Sequence, residues 1–571
     1  MALRTNAIRK PQQKQVRLPS PVGGLNFINS TMDFPDQDAY VLDNVLPRAY
    51  GCEIRKGWRH WIPLANKLTG AVNTIMTYQG SVRSQSRIFA SPTGAAGSVS
   101  NIYDVTTQGV APVLSKAPST VSDVPGEWYY TNFVSQGGNF LLTVSSGAGY
   151  YTYQTGRTPT EWVEVLNVVG PPPTLPTLPA ANTIYWPVGY SIASTKNIAF
   201  IWMWKNRVWF LMKNSSVAFY LPVGQMVGEA HAFDFGQQLN QGGSLLWASN
   251  WTYDSGEGID DGLVLASTEG QIIVYQGTDP DNAATFQLKG RWYAGRFPYG
   301  RRNFCDHGGN IVFLCEYGVV DISDLVSGRL HTTTLSGSMG YKFNPRLSRQ
   351  ISDSIDKQYW FLHPYATEEM LVVGTPLLDM LGNRQTVAMN SVTSAWCTVS
   401  GMDFRCADVF YGQFIYGTAD GMVNQAFFGN EDGVPADGLK HGDIVTARIQ
   451  GAFFDYGEPN LNKRMLRVKL YGRSQSDPSF FARYLPEYHL EEPISAPTPN
   501  KDDKALWAGA PPNTADAVWD FSKWGEADGS FHKWFGVSGF GKKLSLQIAI
   551  RGSGQIAYTD HEALFEIGIG L

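Results

Sequence analysis

The sequence predicts an all-β protein: an irregular β-propeller of about seven blades, with a β-sandwich-like domain formed by the C-terminal region together with the N-terminal segment. Three observations carry that expectation. Of 571 residues, 59 are glycine, 13% are aromatic and only 17% are charged, a balance suited to many short strands joined by tight turns. Between about residues 70 and 440 one unit recurs: a short apolar strand, a turn rich in Gly, Asn or Asp, and a second apolar strand. After Gly442 the pattern changes to strands that alternate apolar and polar residues, such as Val445 to Ile449 and Met465 to Leu470.

The chain is too long for one compact core and implies two to four domains. With 43% hydrophobic residues and a net charge of -5, the bulk of it is not disordered. Residues 1–20 form a basic arm, in which Arg4, Arg9, Lys10, Lys14 and Arg17 meet no acid. Such an arm either docks on an acidic neighbour or is simply solvated. The five cysteines, Cys52, Cys305, Cys315, Cys397 and Cys406, are scattered and odd in number, which argues against a disulfide framework and for reduced thiols. No signal peptide is evident, and the most apolar stretch, around Ile198 to Met212, is interrupted by Lys205, Asn206 and Arg207, so no membrane span is expected.

Residues 21–70 hold the most informative segment, PVGGLNFINSTMDFPDQDAYVLDNVLPRAYGCEIRKGW. Pro35, Asp36 and Asp38 suit the first turn of a helix, and Ala39, Leu42, Val45 and Leu46 recur at helical spacing, so a short helix is expected before Pro47. Gly51 then turns the chain into a strand at Cys52 to Arg55. The order of Gly23, Gly24, Leu25 and Asn26, then Pro35, Asp38, Ala39, Leu42, Asp43 and Asn44, then Pro47, Arg48, Gly51, Glu53, Arg55, Lys56 and Gly57 resembles the N-terminus of the tail nozzle, or tail tubular protein B, of short-tailed bacteriophages.

That resemblance covers about 35 residues and implies a structural virion protein of the distal tail tube, made in the host cytoplasm. It further implies a ring of six copies, an adaptor or head-to-tail connector above it, tail fibres or tailspikes on its flanks, and genomic DNA passing through the bore. The low basicity suits passage, because rows of lysine and arginine would hold duplex phosphates.

Residues 71–440 make the propeller-like region. Its strand pairs begin near Ser86, Gly138, Asn206, Gly262, Gly309, Lys357 and Gln413, at spacings of 52, 68, 56, 47, 48 and 56 residues. Blades repeat every ~40 to 50 residues, and insertions lengthen some units. One insertion, near 170–190, contains GPPPTLPTLP, too rich in proline for a sheet ladder and read as a polyproline strut or exposed loop. Residues 441–571 make the sandwich-like domain, interrupted by a second proline-rich break from Pro493 to Pro512. Its aromatic cluster, Trp507, Trp519, Phe521, Trp524, Trp534 and Phe535, is expected in a core or a subunit interface.

Three motifs invite a chemical reading. Gly536 to Lys543 approaches a phosphate-binding loop, but Lys543 stands where a magnesium-binding hydroxyl belongs and the next residues alternate like a strand. Cys305, His307 and Cys315 offer three zinc ligands without a fourth, and read better as small residues on neighbouring strands. Asp254, Glu257, Asp260 and Asp261 crowd one turn without calcium-loop spacing, as solvated hairpin tips do.

No catalytic, cofactor-binding or metal-ligating residue is assigned, no cofactor is expected, and no reaction is expected. The loops around Pro171 and Asp254 are candidates for a gate in the bore. The alternative function is a glycan-binding or glycan-degrading propeller that recognises the host surface, for which the aromatic content and the acidic turn speak.

Overall fold

In the computed structural model, the described residues are 12–95, 98–173, 181–254, 259–282, 284–329, 339–378, 382, 384–438, 440–474, 478–491, 529–552 and 554–567. They form an all-β architecture in which small antiparallel sheets succeed one another around an axis. Each glycine-rich turn reverses the chain, so each apolar run pairs with the one before it. The first blade contains Val72–Tyr78, Arg87–Pro92, Ile102–Asp104 and Val113–Lys116, and the second Tyr129–Ser135, Gly138–Ser145, Gly149–Tyr153 and Trp162–Glu164. The third begins at Ile198–Trp204, the fourth at Leu245–Asp254, and the fifth is the three-stranded sheet Phe304–His307, Asn310–Cys315 and Gly318–Asp321.

The sixth blade is closed by both ends of the propeller segment. Cys406–Phe410, Gln413–Gly417 and Val423–Ala426 come from its far end, and the outer partner is Trp58–His60 from before the first blade. Trp61, Ile62, Val72 and Ile75 of the early chain then share one apolar cluster with Cys406, Ile415 and Val423. Wide aromatic rings fill the gaps between blades: Trp128, Trp186, Trp204, Trp209 and Trp247 are fully buried. Burial of a large side chain of this kind contributes about 3 kcal/mol.

Six of the seven anticipated strand pairs lie in these six separate blades. The pair beginning near Lys357 does not. Its meander, Phe361–Tyr365, Met370–Leu378, Arg384–Asn390 and Trp396–Val399, occupies the gap between the fifth and sixth blades, but continues sideways into a nine-stranded sheet. The count of about seven is therefore corrected to six self-contained blades, with the remaining place in the ring filled by one half of a larger sheet. Its outer strand Trp396–Val399 finds a partner in Asp38–Asp43 instead of facing solvent, so it cannot end a blade.

The nine-stranded sheet runs on through Asp38–Asp43, Thr446–Phe454, Leu544–Arg551 and Ser479–Pro486. It packs on a seven-stranded sheet that includes Val45–Arg48, Gly51–Ile54, Lys463–Ser474, Gly529–Gly536 and Ile556–Ile567. Leu42, Ile449, Leu546 and Ile548 of one sheet and Leu46, Val468, Leu470 and Phe565 of the other are buried in one cluster, which makes the C-terminal and N-terminal segments a sandwich.

The helix expected before Pro47 is absent. Residues Asp38–Asp43 and Val45–Arg48 are strands in different sheets, joined at Asn44, whose φ is 58°. The apparent helical spacing has a specific cause. The register slips between Ala39 and Val41, so one extra residue bulges out, and Ala39 and Leu42 point into the same core although they are three apart. Asn44 then redirects the chain so that Val45 and Leu46 enter the opposite sheet.

Within the basic arm, the described residues from 12 onward dock on the sandwich. Gln12–Pro19 forms an edge strand against Ile556–Ile567, where Lys14 pairs with Glu458 and Arg17 with Asp560 at 2.6 Å. Arg4, Arg9 and Lys10 lie outside the described residues. Two helices, Ile322–Val326 and Asn344–Asp353, follow the fifth blade.

Candidate functional site

The signature residues of the N-terminal segment meet at the joint between propeller and sandwich. Arg55 is the centre of it. Its side chain is 1% exposed and forks onto Asp432, Nη1 donating to Oδ1 at 2.8 Å and Nη2 to Oδ2 at 2.7 Å. Its Nε donates to Asn44 Oδ1 at 2.7 Å, and Nη2 also donates to the Ser400 carbonyl at 2.7 Å. Asn44 Nδ2 in turn donates to Ser400 Oγ and to the Thr446 carbonyl, at 2.9 and 3.0 Å. One guanidinium and one amide thus connect the sixth blade, the meander and the sandwich.

A second set flanks it. Arg48 donates to Glu53 at 3.2 Å and to Glu368 at 2.9 Å, and Lys56 reaches the other oxygen of Glu368 at 2.5 Å. Asp38, almost fully buried, accepts from Lys342 and from Asn26, each at 2.6 Å. Two glycines are required by close approach. A Cβ on Gly24, at φ +78°, would stand 2.6 Å from the Trp396 amide nitrogen, and one on Gly57 would stand 1.9 Å from the Glu431 carbonyl oxygen. Residues scattered along this segment therefore take part in contacts that join the two bodies.

The inner strands of the propeller are a different environment, with polar groups gathered at particular places. At one mouth a cavity of about 40 Å³ is lined by the starts of innermost strands, with Asn73, Glu127, Tyr129, Arg301, Arg302, Tyr359 and Arg405 among its walls. Arg302 spans from the fifth blade to the first two, Nη1 donating to the Asn73 carbonyl at 2.6 Å and Nη2 to Thr74 Oγ1 and the Trp128 carbonyl at 2.6 and 2.9 Å. Arg301 donates to the carbonyls of Leu245 and Leu246 on the fourth blade. Arg405 donates to Asn73 Oδ1 and lies 3.6 Å from the centre of the Tyr359 ring. Burial pulls the guanidinium pKa of both Arg301 and Arg405 down, the direction expected for cations held away from water.

Elsewhere on the innermost strands the polarity reverses. Asp408 accepts from Thr77 Oγ1 at 2.9 Å and from the Tyr130 hydroxyl, and His363 Nε2 lies 3.5 Å from its other oxygen. Burial raises the Asp306 pKa, against a hydrogen bond from Ser249 Oγ at 2.7 Å. Sequence reading missed both groups because their members are as much as 332 residues apart. The available signal was the doublet Arg301-Arg302 just before a blade strand, in a chain with few charges.

The motifs singled out in the sequence do not assemble into a site. Cys305 and Cys315 sit on adjacent strands, as expected, and face different apolar clusters. His307 lies near Ser391. All five cysteines are free and buried, and burial pushes the Cys52 and Cys315 thiols up to about 12 and Cys406 up to about 11. No group of three or more metal-ligating side chains occurs among the described residues. The run Gly536 to Lys543 passes from strand to strand, with Phe540–Gly541 paired to Lys463 and Arg464 and Leu544–Arg551 following.

Of the acidic turn, Asp261 accepts from Thr252 Oγ1 at 2.7 Å, and Glu257 lies outside the described residues, as do the side chains of Asp254 and Asp260. Also outside them are residues 174–180 of the first proline-rich break, all of Pro493 to Pro512, and Trp507, Trp519, Phe521 and Trp524. Trp534 and Phe535 lie on Gly529–Gly536, where Phe535 packs against the sandwich core and Trp534 is exposed. Among the described residues no helix is long and apolar enough to cross a membrane.

No family model and no curated protein matches the chain. Solved structures similar to it include a computationally designed protein, Ika8, at 10% identity and a TM-score of 0.34, covering 65% of this chain and all of that one. The β-propeller domain of Cps50 (Swd1) from Myceliophteria thermophila is similar at 11% identity and a TM-score of 0.34, over 66% of this chain and 99% of that one. YCF48 bound to D1 peptide is similar at 11% identity and a TM-score of 0.25, over 65% of this chain and 97% of that one. Likeness this distant says nothing about what the chain binds or does.

Proposed function

We propose that the chain is a structural virion protein, the nozzle of the tail tube of a short-tailed phage, acting as a ring through which the genome leaves. The observation that carries the reading is the junction around Arg55. Arg55 and Asn44, two of the residues that resemble the nozzle N-terminus, help to lock propeller to sandwich, and a conduit wall needs two stiff bodies held at a fixed angle. In this reading the protein works by shape in several copies. Six copies would surround the bore, an adaptor ring would sit above them, fibres or spikes would attach outside, and DNA would pass without sequence-specific contacts.

Electron microscopy of the purified chain mixed with the phage's head-to-tail adaptor tests this. Sixfold rings stacked on the adaptor are expected. A chain that stays monomeric and leaves the adaptor bare refutes the nozzle assignment.

A further inference from the structure

The mouth of the propeller axis carries more positive charge than its own walls answer. Arg301, Arg302 and Arg405 line one cavity, and among the described residues Glu127, which also accepts from the Tyr129 hydroxyl, is the one carboxylate beside them. Among the described residues no carboxylate oxygen comes within 4 Å of the three arginines, and only the longer-range attraction of Glu127 for Arg301 and of Asp403 for Arg405 opposes their charge. Neutral carbonyls, amide oxygens and the rings of Tyr129 and Tyr359 hold them in place. These contacts fix the guanidiniums without neutralising them, and clustered cations with reduced access to water are costly unless an anion joins them.

We propose that this mouth is a binding site for a small oxyanion, taken between Arg301, Arg302 and Arg405. Geometry sets the class of ligand. Planar guanidiniums match the paired oxygens of phosphate or carboxylate, and arginine is the side chain suited to such forked recognition. A cavity of about 40 Å³ is roughly three times what one water needs, room for a group with three or four oxygens and too little for a sugar ring. The ligand is therefore free phosphate, or a single phosphate or carboxylate of a larger molecule entering end-on. The site uses no part of the virion reading and stands or falls separately from it.

Equilibrium dialysis of the full-length chain against labelled inorganic phosphate, at ionic strength matched with sodium chloride, tests the proposal. Saturable uptake of one phosphate per chain is expected. Arg405→Gln should weaken it at least tenfold, and Arg405→Lys should restore part of the loss. A parallel series with acetate distinguishes a carboxylate source from a phosphate source, the stronger competitor naming it. Crystals of the unaltered protein soaked in selenate should show an anomalous peak within reach of all three arginines, which keeps the test decisive if a variant fails to fold. No uptake above the chloride control, uptake indifferent to Arg405, or selenate bound only elsewhere would overturn the site.

Discussion

Arg55 shows how much a single side chain can hold. It satisfies both oxygens of Asp432 and also donates to Asn44 and the Ser400 carbonyl, and its removal leaves the half-buried Asp432 carboxylate without its donor, while Asn44 Oδ1 keeps the Ser400 amide at 2.9 Å. Breaking a buried pair from one side costs about 3 to 5 kcal/mol, because the remaining charge has no partner. Arg55→Met is therefore expected to lower the midpoint of chemical denaturation by an amount corresponding to that range, and Asp432→Asn in the same background should recover part of it. Full loss persisting in the double variant would mean that Asp432 is not the partner that matters.

His561 carries a pH dependence of definite sign. It is fully buried on Ile556–Ile567, with Nδ1 2.8 Å from the Tyr558 hydroxyl, and burial lowers its pKa from 6.5 to about 3. The folded chain thus keeps the ring neutral where the unfolded chain protonates it. The stability it permits is complete above about pH 6.5 and is lost as pH falls toward about 3, at up to about 1.4 kcal/mol per pH unit. Urea midpoints measured from pH 7.5 down to 4.5 should fall more steeply for the native chain than for His561→Gln. Parallel curves would mean that the histidine is charged in the fold or already solvated.

At the scale of elements, the strand Trp58–His60 does two jobs. It pairs antiparallel with Val423–Ala426 and parallel with Glu431–Val434, so it completes the sixth blade and ties the ring's two ends together. Proline at position 59 removes an amide from a strand paired on both sides, and a buried acceptor left unsatisfied costs about 1 to 3 kcal/mol. Arg59→Pro is expected to abolish hydrogen-exchange protection along Trp58–His60 and Val423–Ala426 while leaving the third and fourth blades protected. Equal loss in every blade would show that closure controls the whole ring and not one seam.

Elements also show what the sequence made legible. Hairpins read easily, because each needs only two apolar runs and a turn that glycine, asparagine or aspartate can make, and those signals lie within about 15 residues. The bulged strand Asp38–Asp43 read as a helix because one inserted residue turns a two-residue period into a three-residue one. The pair at Lys357 was recognised as strands and placed in the wrong sheet, since its outer partner Asp38–Asp43 comes from more than 300 residues earlier. Of the arginines of the axial mouth, the adjacent pair Arg301-Arg302 left a local trace, whereas Arg405, about a hundred residues further on, had no local pattern that could join it to them.

For the whole molecule, the order of strands makes the two bodies inseparable. Asp38–Asp43 lies inside the nine-stranded sheet between the propeller meander and Thr446–Phe454, Val45–Arg48 and Gly51–Ile54 belong to the opposite sheet, and Trp58–His60 closes the ring. Residues before 71 are thus shared by both bodies instead of preceding them. A chain beginning at residue 71 would expose Trp396–Val399 and Thr446–Phe454 as unpaired inner edges, the kind of edge that aggregates. Such a truncation is expected to be insoluble or to melt without a sharp cooperative transition, and a chain beginning at residue 12, which retains the edge strand Gln12–Pro19, is its control. Circular dichroism melting of the two truncated chains decides the matter: if the chain from residue 71 melts sharply at the full-length temperature, the N-terminal segment is an accessory, and the stiff-junction basis of the nozzle reading fails with it.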